Sequence, residues 1–148
     1  MNSRFLIAFL IIVLALVLQM RLFEPAGFPL PLSLAAILAL TLLMDVGSIV
    51  FLSLFSFFIL NWRPGITPEF TAFVCIPLVA CFVQSFFPLR SALNAAGVGA
   101  LGVALWYVAA NPSGTFAAPS LILFKAILSG FVAAFVFGLF RFSLRYRS

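Results

Sequence analysis

The chain has 148 residues, of which 66% are hydrophobic and 7% charged. Soluble domains carry roughly 25% charged residues, so this chain cannot clothe a fold of its size in water, and lipid must be its main solvent. The charge is basic, eight Lys and Arg against three acids (Glu24, Asp45 and Glu69). The cations are scattered among the ends of apolar runs, which is the topological bias of membrane proteins and not a nucleic-acid surface.

The first apolar run spans Phe5 to Gln19 behind Arg4, and Met20–Pro25 offers no small-x-small cleavage site, so the run is expected to be an uncleaved first span. A loop from Arg21 to Pro29 carries Pro25, Gly27 and Pro29. Leu30 to Leu60 then runs for 31 residues with one charge, Asp45, at its middle. As one helix it would be about 46 Å long, against a hydrocarbon core of about 30 Å. Two short helices turning at Asp45-Val46-Gly47-Ser48 fit better, at about 22 Å each.

Asn61 to Glu69 reads as a loop, Phe70 to Phe87 as a span interrupted by Pro77, and Pro88–Ser91 as a turn. Ala92 to Ala110 spans again, Asn111–Thr115 is a loop, and the last span starts near Pro119 and runs into Arg141, Arg145 and Arg147. The expectation is an all-α, polytopic integral membrane bundle forming a single transmembrane domain over 1–148. It has about six helices, or five if Asp45 sits inside one long helix.

With six spans and the N-terminus inside, the inner side holds Arg4, Arg90, Arg141, Arg145 and Arg147, and the outer side Arg21, Arg63 and Lys125. With five spans Arg4 and Arg21 trade sides. The inner excess is the same in both, so the positive-inside rule makes the C-terminus cytoplasmic, with a bacterial cytoplasmic membrane expected, and leaves the span count open. Trp62, Trp106 and Tyr107 fall at the outer interface either way, where amphipathic rings prefer to sit.

Asp45 is the candidate functional polar residue. At mid-membrane it would cost about 2.5–3.5 kcal/mol and need a partner or a proton-relay role; as a turn carboxylate at the cytoplasmic face it costs little. Lys125 is expected to lay its stem along the last helix and send its ammonium to the outer headgroups. Cys75 and Cys81 lie about 240° apart on a helix, and the chain has no histidine, so neither a disulfide nor a metal pair is suggested. No nucleophile elbow, zincin motif, P-loop or paired carboxylates occur, and no cofactor is indicated.

Small residues recur every four positions at Ala92, Ala96, Ala100 and Ala104, and again at Ala126, Gly130, Ala134 and Gly138. Such rows let helix backbones approach closely, within the chain or against a partner subunit. Twenty phenylalanines, with ridges at Phe51, Phe55, Phe58 and at Phe131, Phe135, read as lipid-facing bulk.

Leu18-Gln19, Leu22-Phe23, Pro31-Leu32-Ser33-Leu34 and Leu42-Leu43-Met44-Asp45, with the arginine-rich tail after the last helix, give the chain a resemblance to MreD, the small membrane subunit of the bacterial rod-shape system. That family is structurally akin to the substrate-binding S-components of energy-coupling-factor vitamin transporters. The resemblance implies a six-helix membrane fold and a place in cell-envelope synthesis, and it matches Asp45 to the family's aspartate. The proline-led segment and the aspartate stand closer together here than in the family. The functional expectation is a non-catalytic membrane scaffold or assembly subunit that binds other membrane proteins. The alternative is a small-molecule-binding transporter subunit, with a sealed pocket near the outer face lined by Trp62, Trp106 and Tyr107.

Overall fold

The structure, a computed structural model, describes residues 3–23, 30–60, 67–86 and 91–145. These fold into seven α-helices: α1 (Ser3–Leu18), α2 (Leu32–Leu40), α3 (Val46–Leu60), α4 (Pro68–Phe86), α5 (Ala92–Ala110), α6 (Pro112–Ala117) and α7 (Pro119–Arg145). A π-helical turn, Gln19–Phe23, continues α1. No strand occurs among the described residues. Four stretches, Ser3–Leu22, Pro68–Phe86, Ala92–Ala110 and Pro119–Arg145, are long and apolar enough to cross a membrane. Large apolar side chains such as Leu93, Phe131 and Phe135 stand exposed on the outside of the bundle. Water would not tolerate so wide an apolar surface, and a bilayer requires one. The chain is a helical membrane bundle.

The helix starts follow from local chemistry. Proline opens α4, α6 and α7, where its missing N–H is not needed. Ser91 caps α5 by accepting from Asn94 N (3.2 Å). The expected loop at Asn111–Thr115 is instead mostly helical. Asn111 Oδ1 accepts from Gly114 N (3.0 Å), Pro112 sets the first turn, and Ala118, which precedes Pro119, ends the helix.

The directions of the helices can be read from side-chain pairs. Phe5 packs on Phe51 and Phe9 on Phe55, with ring centroids 5.7 and 5.0 Å apart, so α3 runs parallel to α1. Gln19, just past α1, bonds Ser33 at the start of α2, so α2 runs back between them. Phe57 late in α3 meets Phe70 early in α4, with centroids 4.5 Å apart. Gln84 late in α4 donates to Thr41 at the end of α2 (2.7 Å). Gly99, early in α5, faces Ala133 in the second half of α7, while Tyr107, late in α5, lies against Lys125, early in α7, so α5 and α7 are antiparallel. Ser3, Asp45, Ser85, Ser91 and Arg145 therefore gather at one end, called the near end. Gln19, Leu60, Pro68 and α6 lie at the far end.

At the centre is α2, with all nine residues buried. Its run of Leu, Ala and Ile has no polar face, as a helix wrapped on every side requires. Nine residues span only about 14 Å, less than half a hydrocarbon core, and the 15 residues of α3 about 22 Å.

One continuous helix over Leu30–Leu60 does not form, because the chain breaks between Thr41 and Asp45. The break comes a few residues before the expected turn, and Val46 already belongs to α3. Asp45 caps α3: Oδ2 accepts from Ser48 N (3.0 Å) and Oδ1 from Ser48 Oγ (2.8 Å). It is exposed and precedes Phe51 by six residues, which places it about 9 Å beyond the Phe5–Phe51 level, outside the middle of the bundle.

The Ser48 backbone N–H and hydroxyl hold the Asp45 carboxyl below its usual range. Because the folded value is lowered, the stabilisation is present above the ordinary carboxylate pKa and is lost as pH falls through the folded value. Asp45→Ala is expected to lower stability by about 1 kcal/mol at neutral pH, and Asp45→Asn by less. Thermal unfolding in detergent should show the Asp45→Ala deficit shrinking below about pH 4.

Candidate functional site

The α5–α7 seam takes up much of the two small-residue rows. A Cβ added at Gly99 would overlap Ala133 Cβ and lie 3.3 Å from Ser129 O. One added at Gly130 would lie 2.8 Å from Ala96 O and 3.2 Å from Ala100 Cβ. Ala126 is buried as well, and Ala104 and Ala134 are half-buried. Only the near-end members, Ala92 and Gly138, are exposed, and among the described residues nothing lies within 4 Å of where a Gly138 side chain would start. The rows therefore serve mainly to bring two helices of this chain together.

Beside the seam a lateral groove of about 300 Å³ opens between α4 and α5. Its walls are Cys75, Val79 and Val83 on one side and Val98, Leu101 and Leu105 on the other, with Leu38 of α2 as floor. Leu38 reaches the groove because position 102 is glycine; a Cβ there would overlap Leu38 Cδ1. At the near end the lining reaches Gln84, which donates to Thr41 Oγ1. Of the 19 residues of α4 only Ala72, Phe73 and Pro77 are buried, so this helix offers most of its surface outward.

Lys125, whose ammonium is expected to run toward the outer headgroups, lies near the far end. It is buried, 6% exposed, with Nζ 5.2 Å from the centroid of the Tyr107 ring. The electron-rich face of the ring favours a cation there. Trp106 packs edge-on against Tyr107, with centroids 5.1 Å apart. Thr115 Oγ1 donates to Tyr107 O (3.0 Å), tying α6 over the cluster. Ser129 lies one turn from Lys125 on the same face of α7. Its Oγ and Trp106 Nε1 are both buried without a hydrogen-bond partner among the described residues. Trp62, expected beside Trp106 and Tyr107, lies outside the described residues.

The near end carries exposed Arg4, Arg141 and Arg145 together with Asp45, while Arg147 lies outside the described residues. Cys75 is exposed, Cys81 half-buried, and both are free thiols. Among the described residues no cluster of His, Cys, Asp or Glu could hold a metal ion. The far-end cluster gathers several polar groups inside the apolar bundle, around Lys125 and Tyr107. It can hold an anion or a hydrogen-bond acceptor, whereas the groove can hold apolar side chains.

Compared with protein-family models, with curated proteins and with solved structures, the chain finds no match.

Proposed function

We propose that the chain is a non-catalytic integral membrane subunit that crosses the bilayer six times and seats a transmembrane helix of a partner membrane protein in the α4–α5 groove. The six crossings are α1, α2, α3, α4, α5 and α7, whose directions alternate; the short α2 and α3 cross by way of local thinning and their flanking turns. Alternation leaves the start of α1 and the end of α7 at the near end, the arginine-richer one, which the positive-inside rule makes cytoplasmic in a bacterial inner membrane.

The groove carries the reading. Its lining is largely apolar, with Cys75 and Ala80 supplying small positions at which a second helix can come close. The resemblance to MreD directs the search for that helix to the proteins of cell-envelope synthesis.

A photo-crosslinking side chain at Val83 or Leu101, in the groove, is expected to yield one discrete protein adduct in native membranes. The same group at Phe131, exposed on α7, should yield lipid adducts only. Ala80→Phe fills the groove and should abolish the protein adduct while leaving thermal stability within about 1 kcal/mol. Identical adducts from all three positions, or an adduct that survives Ala80→Phe, would refute the reading.

The sealed polar atoms of Ser129 and Trp106 beside the Lys125–Tyr107 pair favour a second reading, a transporter subunit binding a small acceptor-bearing molecule near the far end. Mass spectrometry of the protein purified in mild detergent distinguishes it, because it requires a stoichiometric small molecule and the first reading does not.

A further inference from the structure

We infer that the near end of α7 holds a binding site for the phosphate of an anionic glycerophospholipid, built from Gly138, Arg141, Phe142 and Arg145. These four residues line a hollow of about 280 Å³ on the outer face of the helix. Their spacings of three, four and seven put them on one face. The hollow exists because position 138 has no side chain, and among the described residues nothing else enters the space where one would begin.

The chemistry of the hollow is graded along the helix. Gly138, one turn deeper in the membrane than Phe142, makes an apolar floor, and the exposed Phe142 ring adds an apolar wall beside the arginines. Arg141 and Arg145, one turn apart and exposed, stand at the outer limit of the apolar span. Two guanidinium forks one turn apart match the oxygens of a phosphate better than ammonium groups would, because each can donate two parallel hydrogen bonds. The glycerol and upper acyl carbons of the same molecule then lie over Gly138 and against Phe142. Free phosphate shares the charge but gains nothing from the apolar half, so the charge pattern with the adjoining apolar notch specifies a lipid.

The test uses the full chain in nanodiscs of phosphatidylcholine carrying a minor fraction of spin-labelled phosphatidylglycerol, with the immobilised lipid read by electron paramagnetic resonance. Wild type is expected to immobilise phosphatidylglycerol in preference to labelled phosphatidylcholine. Arg141→Gln/Arg145→Gln should weaken that preference by roughly tenfold or more. Gly138→Leu keeps every charge but fills the notch, and it should also weaken the preference severalfold. Arg4→Gln removes a charge at the same end outside the hollow and should leave it unchanged.

Circular dichroism and thermal unfolding confirm that each variant is folded, and Arg141→Lys/Arg145→Lys, with charge retained, should bind between wild type and the Gln pair. If Gly138→Leu binds like wild type, or if Arg4→Gln weakens binding as much as the paired substitution, the arginines are only topological anchors and the site is refuted. Complete displacement of the labelled lipid by inorganic phosphate at equal concentration would likewise refute a lipid site.

Discussion

Gly99→Ala is expected to destabilise the bundle by about 1–3 kcal/mol, and Gly99→Ala combined with Ala133→Gly to recover most of that loss. The added methyl group would overlap Ala133 Cβ, which is fixed to its helix and cannot rotate away. Relief can come only from moving α5 and α7 apart. That movement would also disturb Gly130 against Ala96 and Ala100 and the Lys125–Tyr107 contact, since all lie along one seam. Ordinarily Gly→Ala inside a helix raises stability by about 0.5–1 kcal/mol, so a loss here isolates the packing effect from helix propensity. Gly97→Ala is the control, because it sits in the same helix with nothing within 4 Å among the described residues and should be neutral or stabilising. Unfolding midpoints in detergent for wild type, Gly99→Ala, Ala133→Gly and the double substitution measure the coupling, with Gly97→Ala beside them. A double substitution no better than Gly99→Ala alone would place the tight approach elsewhere.

The membrane character and most helix limits are legible in the sequence because apolar length and Pro, Gly and Asn punctuation are local properties. Pro119 starts α7 and Ala92–Ala110 is helical throughout, as the residues alone imply. Which member of a small-residue row touches which neighbour is not local. The rows at Ala92–Ala104 and Ala126–Gly138 suggest close packing, but whether they meet each other depends on the antiparallel register of α5 and α7. The same register carries Lys125 onto Tyr107, two residues 18 positions apart whose meeting leaves no periodic signal. The groove depends on Gly102 admitting Leu38 from another helix, and reads in sequence as one more glycine. Asp45 is the converse case. Its Ser48 partner is three residues on, the standard spacing for a helix cap, so the sequence itself holds the reason it is a cap and not a buried acid.

The other large effect is expected at Gln19, which satisfies the start of the buried helix α2. Its Oε1 accepts from both Ser33 N (3.1 Å) and Ser33 Oγ (3.0 Å). A helix buried along its whole length cannot give its first N–H groups to water, so a protein acceptor must take them. Gln19 is placed to do so by the π-helical turn that carries it, and it is 8% exposed. Gln19→Leu preserves bulk and removes the acceptor, stranding the Ser33 N–H and hydroxyl in an apolar core. A loss of about 1–3 kcal/mol follows, with faster deuterium uptake at Ser33 and its neighbours in α2. Ser33→Ala deletes only the hydroxyl bond and leaves the amide paired, so its loss should be near 1 kcal/mol. The ordering separates two explanations of the pair. If the hydroxyl bond were the important one, Ser33→Ala would be as harmful as Gln19→Leu and exchange in α2 would change equally in both. If the helix end is what Gln19 holds, Gln19→Leu is the worse of the two and the added exchange is concentrated in the first turn of α2.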